Sequence, residues 1–184
     1  MPSYLSRHKV KKYYQELALY NKWINEKVFS AAANLKKEEL SQNRGAYFGS
    51  IIGTLNHILI GDIFWFKRFA DHHTNYQSLN YFRALSKPNS LDEIRHDELP
   101  NLWKERAQTD KVILQYMSEI ADEEIARTIF YHDTKGQRFN RNLGHLLLHV
   151  FNHQTHHRGQ VSTLLYQAGI DIGVTDMVVR ITDE

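Results

Sequence analysis

His149-Val-Phe-Asn-His-Gln-Thr-His-His-Arg-Gly-Gln160 carries four of the eleven histidines in a chain of 184 residues. Three explanations compete: a metal site, a catalytic base, or a polar surface that uses histidine. The surrounding pattern first sets the secondary structure. Apolar residues at Leu143, Leu146, Val150, Val161 and Leu164 recur at helical spacing, so the stretch belongs to a helix expected over about 142–167. Gly169 stands where a left-handed C-terminal cap is expected.

Working outward, the rest of the chain reads as long helices separated by short breakers. A first helix is expected over about 6–34, with Leu17, Tyr20, Ile24 and Val28 on one face. Gly45 and Gly49 mark a loop. Ser50 then has the form of an N-cap for a second helix carrying Ile51, Ile52, Leu55, Leu59, Phe66 and Phe69. Ser90-Leu-Asp-Glu93 resembles a capping box, but Pro100 fits better as the first residue of a third helix running to about Ile120. Thr128–Tyr131 prefers strand and Lys135-Gly136 prefers a turn, which predicts a small hairpin packed on the helices. The tail after Gly169 alternates weakly and can drape over the bundle. The fold class predicted is all-α, a four-helix bundle in one domain over 1–184, with a β-hairpin before the last long helix.

Composition narrows the chemistry. There is no cysteine, which excludes disulfides, zinc–thiolate sites and a thiol nucleophile of the protein's own. Any metal must be held by His, Asp or Glu. A net charge of +2 argues weakly for a nucleic-acid partner, and the basic run Arg7-His-Lys-Val-Lys-Lys12 reads as the solvated start of a helix. The N-terminal residues lack the apolar core of a secretory signal, and no stretch is apolar enough to span a bilayer. A cytoplasmic protein without a membrane partner is expected.

His145/His149, His149/His153 and His153/His157 all have the i,i+4 spacing that stacks side chains on one helix face. The apolar residues choose between them. With His149 at zero, the apolar sector centres near roughly 100°, and His153 and His157 fall at roughly 40° and 80°. They therefore point at the bundle interior, while His149 and His156 lie at its edge. Two inward imidazoles need partners, and a divalent cation satisfies both lone pairs at once. A third ligand from another helix is needed, and His57, beside the stripe of Ile51, Ile58, Trp65 and Phe69, is the candidate. Three histidines without a fourth side chain leave an open coordination position, the catalytic arrangement. His8, His72, His73, His96 and His132 read as surface. Asp62 and Asp133 are spare carboxylates, Asp62 being either an outer partner to a ligand histidine or half of an ion pair. Arg106 and Asp110 read as a helix-face salt bridge, and Trp23, Trp65 and Trp103 as core.

Three stretches, Tyr20–Asn25 (YNKWIN), Arg44–Phe69 (RGAYFGSIIGTLNHILIGDIFWFKRF) and Leu146–Gly169 (LLLHVFNHQTHHRGQVSTLLYQAG), resemble the DinB family, within the DinB/YfiT-like metalloenzyme superfamily. The resemblance runs from about residue 13 to 169 and is weaker over 71–100. It implies a four-helix bundle holding one divalent metal, nickel or zinc, on a triad that maps to His57, His153 and His157. It also implies a homodimer, and DNA-damage-inducible expression. Related superfamily members use low-molecular-weight thiols such as bacillithiol or mycothiol in transfer or isomerisation. The reaction expected is thus thiol S-transfer on a small-molecule substrate, with metal-assisted hydrolysis next. The competing class is a non-enzymatic, stress-induced metal-binding or nucleic-acid-associated module.

Overall fold

The computed structural model describes residues 10–73 and 75–181. Four long helices are present: α1 (Val10–Ala32), α3 (Ile51–His72), α5 (Leu99–Glu119) and α7 (Leu143–Gln167). Shorter ones intervene at α2 (Lys37–Ser41), α4 (Asn80–Ala84) and α6 (Asp122–Ile125). Around the bundle, α1 packs on α5 and α7, and α3 packs on α7 and α5. β1 (Thr128–His132) and β2 (Arg138–Asn142) form the expected antiparallel hairpin, with Tyr131 opposite Phe139. The hairpin lies against α3.

The predicted boundaries hold closely where a cap defines them. Ser50 accepts the Gly53 N–H at 3.1 Å, and Asn142 accepts the His145 N–H at 3.1 Å, opening α3 and α7. Gly169 has φ +83°, the left-handed cap. Pro100 is the second residue of α5 rather than its first. α1 ends at Ala32 instead of Asn34, and the Asn34 side-chain amide donates back to the Ser30 and Ala31 carbonyls of its last turn. The expected residues 6–9 of that helix, which include His8 and the first half of the basic run, lie outside the described residues. Ser90–Glu93 forms no helix; the Glu93 carboxylate accepts from Asn89. The sequence reading missed α2, α4 and α6. In α4 the single residue Phe82, with Leu79 in the turn before it, plugs into the core. One or two anchors in a short element give no period to read. The tail does lie over α1: Tyr20 and Lys27 donate to the Thr175 and Val174 carbonyls.

The apolar core is divided. One cluster includes Tyr14, Phe66, Tyr116 and Phe151; the other includes Val28, Leu55, Leu102 and Leu165. Between them every long helix contributes polar side chains: Asn21 and Asn25, Asp62, Arg106 and Asp110, and Gln154 and Arg158, all buried. Arg106 bridges Asp62 and Asp110. Asn21 and Asn25 donate to Asp110 at 3.0 Å, and Gln154 donates to Asp62 at 2.6 Å. Arg158 donates to Asn21 and, at 3.1 Å, to Gln154. Burial pushes both carboxyls above their ordinary range, while Arg106 pulls the other way. The expected Arg106–Asp110 salt bridge is present, but it is buried, with both side chains 1% exposed, so the few tenths of a kcal/mol of an exposed pair do not apply. A buried pair of this kind weakens the fold mainly if one partner is removed.

Candidate metal centre

α3 and α7 pack together and bring His57 to His153 and His157. One ring nitrogen from each lies within 4.8 Å of the other two. Ring centroids are 4.9 Å apart for His57–His153, 4.4 Å for His57–His157 and 4.4 Å for His153–His157. Two nitrogens, each about 2.0–2.1 Å from one tetrahedral ion, stand about 3.3 Å from each other. His57 Nε2 and His153 Nε2 are 3.0 Å apart. The group could therefore hold an ion with little movement.

The tautomers are set by neighbours. The Leu91 carbonyl can only accept, so His57 Nδ1, 2.8 Å away, carries the proton and Nε2 keeps its lone pair. Gln160 Oε1 accepts in the same way from His157 Nδ1 at 2.8 Å, leaving that Nε2 free. Gln160 is held in turn by donating to His156 Nε2 at 3.2 Å. These are the outer contacts that orient ligand histidines and make them basic. Burial holds all three rings neutral: His57 is pulled down to about 4 and His153 to about 3, the latter also by its neighbouring histidines, and His157 is lowered too. Neutral imidazole is the metal-binding form.

The interior reading of α7 needs adjustment. His57 is buried, but His153 and His157 are half-buried at the margin. The deepest polar positions are Gln154 and Arg158. The apolar sector was centred without Leu147, Phe151 and Leu165, which are all buried and swing it away from the histidines. His149 and His156 are exposed, as expected at the edge. Asp62 takes the ion-pair role, accepting from Arg106 and from Gln154. His72 and His132 are exposed, but His73 is buried, with Nδ1 3.5 Å from Glu124, and His96 is half-buried against Glu105. The three tryptophans are half-buried, packing against the core from its edge.

Four contributors were not named from the sequence. Phe48 stacks on His57 at 3.7 Å and 16°, and covers one side of the group. Gly61 sits one turn after His57, and a Cβ there would stand 2.8 Å from His153 Cε1. The glycine lets the ring lie against the α3 backbone. The Leu91 carbonyl comes from an irregular segment that has no pattern to read. Gln160, three residues after His157, had a usable signal in that spacing.

A sequence model of the DinB family matches residues 7–183. Protein DinB of Bacillus subtilis (strain 168) is 27% identical over 157 residues, covering 85% of this chain and 87% of that protein. Among the described residues, no helix is long and apolar enough to cross a membrane.

Proposed function

The chain belongs to the DinB family, and from that premise we propose that His57, His153 and His157 hold one divalent transition-metal ion in a metal-dependent enzyme. The observation that carries the proposal is the meeting of two imidazole Nε2 atoms at 3.0 Å, one of them barred from carrying a proton by the Leu91 carbonyl. Three neutral nitrogen donors suit nickel, zinc, cobalt or copper, and the family resemblance favours nickel or zinc. The ion would supply Lewis acidity, lowering the pKa of a thiol or water that reaches it toward about 7. The protein's own residues bind and orient: Leu91 and Gln160 fix two rings, Gly61 gives the third its place, and Phe48 shields His57 from solvent.

Thiol S-transfer is the reaction we favour, and hydrolysis is second. The chain contains no cysteine, so a nucleophilic thiol has to come from solution. The family resemblance also supports a cytoplasmic homodimer, and sedimentation tests the dimer. Elemental analysis of protein purified without a polyhistidine tag is expected to give about one nickel or zinc per chain, lost in His153→Ala. Retention of a full equivalent in that variant would falsify the ligand set. A screen of the metal-loaded protein with small thiols and electrophiles tests the reaction. No thiol binding or turnover leaves hydrolysis or a non-catalytic binding role.

A further inference from the structure

A second region on α3 has the makings of a ligand site. From His57, the positions Gly61, Phe64 and Arg68 follow along one face of the helix. Past Phe64, a cavity of about 290 Å³ opens between α3 and the start of the hairpin. Arg68 and Tyr131 line it. The Arg68 guanidinium lies over two aromatic rings, 4.6 Å from the centroid of Trp65 and 5.1 Å from that of Tyr131. Such contacts fix the plane of a guanidinium and leave its N–H edges to other partners. Among the described residues, no hydrogen-bond acceptor and no carboxylate pairs with those edges.

The other charges around the cavity are partly committed. Lys67 donates to the Phe82 and Leu85 carbonyls at 2.8 and 2.6 Å. Asp133 Oδ1 accepts the backbone N–H groups of Lys135 and Gln137 at 2.8 Å each, shaping the hairpin turn. Lys87 and Asp71 are exposed on the rim. Three cations therefore face two carboxylates, an excess of one positive charge. Burial also disfavours the charged guanidinium. A half-buried, immobilised arginine with free donors is suited to a planar or tetrahedral oxyanion bound through two hydrogen bonds.

We infer that this cavity binds an oxyanion, the carboxylate or phosphate of a small molecule, through Arg68. Trp65 links the cavity to the histidines: it supports Arg68 and meets His149 edge-on at 5.1 Å, and His149 lies 6.0 Å from His153. Along α3, Gly61 and Arg68 are about 10 Å apart. If the metal reading holds, the bound anion is the distal anchor of the substrate whose reactive end reaches the histidines; that role rests on the reading, and the anion site itself does not.

Calorimetry on the full metal-loaded chain, with succinate and inorganic phosphate as separate probes, tests this. Saturable one-to-one binding of at least one probe is expected, weakened at least about tenfold in Arg68→Met, which keeps the aliphatic stem but removes the donors. Which probe binds tells carboxylate from phosphate. Because a variant can misfold, the wild-type Arg68 Nε–H resonance gives a second readout and should shift on titration. The inference is overturned if neither probe saturates, or if Arg68→Met binds as wild type does. His57→Ala separates the two proposals: loss of the ion with anion binding kept is expected if both hold, a full equivalent of ion retained with anion binding kept sinks the metal reading alone, and loss of the ion with no saturable anion binding in this variant or in wild type sinks this one alone.

Discussion

Gln154 and Arg158 are set on the same two turns of α7 as His153 and His157, one residue further along, yet the two pairs fare differently. Gln154 and Arg158 enter a layer where amides, guanidiniums and carboxylates meet as donor to acceptor across all four long helices. His153 faces His57 nitrogen to nitrogen, and His157 presents a lone pair to the same spot. Burial of polar groups alone thus says little about function. An interior charge network can be closed on itself, whereas the lone pairs of His57 and His157 converge on a spot where His153 can offer one N–H at most.

The contrast breaks most visibly in unfolding experiments. Arg106→Leu leaves Asp62 and Asp110 buried without their shared cation, and is expected to cost about 3–5 kcal/mol in urea denaturation. His153→Ala, in metal-free protein, removes a half-buried ring from a margin and should stay within about 1 kcal/mol of wild type. Equal costs would show that the histidines are structural members of the same polar layer.

That layer shows where the sequence was readable. Arg106 follows Leu102 by four residues and precedes Ile113 by seven, so it lies on the buried stripe of α5. Asn21 and Asn25 lie on the stripe of α1 with Ala18, Ile24 and Val28. The positions were legible, and the face they share with Leu102 and Ile113 makes Arg106 and Asp110 an interior pair to which the i,i+4 rule for exposed helices does not extend. The histidine triad was accessible because it combined an i,i+4 pair with one more histidine beside a strong apolar stripe. The Leu91 carbonyl was not accessible, since a backbone oxygen acts whatever its side chain, and its segment follows no period. Phe48 was hidden for a related reason: a loop ring can stack on a helix in many ways.

Gly61→Ala sharpens the comparison from the other side. In a helix interior the change should stabilise by up to about 1 kcal/mol. The new methyl, however, takes the place of the His153 ring edge. Metal affinity should fall about 10- to 100-fold in competition with a chelator while the melting temperature of the metal-free protein holds or rises. Unchanged affinity would mean that His153 binds from another rotamer or not at all.

Acid should also separate the two regions. Unfolded, a histidine takes up its proton near pH 6.5; folded and buried, His57 does so only at about 4. In that window the unfolded chain carries more protons at this site, so His57 withdraws stability from the metal-free protein as pH falls from 6.5 toward 4, while the raised carboxyls of Asp62 and Asp110 act in the opposite sense. Screening at the half-exposed rings keeps the loss to about 2 kcal/mol. Chemical denaturation at pH 7 and pH 5 should therefore disfavour wild type at the lower pH relative to the double variant His57→Ala/His153→Ala, which keeps both carboxyls and lacks the two rings. The same drop in both would assign the acid sensitivity to other groups.

The smallest effect expected is at Gln160. Its amide oxygen accepts from His157 Nδ1, while its amide nitrogen is tied to His156, so it favours the tautomer that leaves His157 Nε2 open. Gln160→Ala removes that preference without touching any candidate ligand, and water can take over part of the role. Metal affinity should drop about tenfold, the low end for such outer contacts. Gln160→Glu should restore or exceed wild-type affinity, since a carboxylate is the stronger acceptor. A merely structural role for Gln160 predicts no rescue by glutamate, because the charge would also lose the donor to His156. The pair of variants therefore tells whether the lone pairs at the margin of the bundle are directed toward an ion or only packed there.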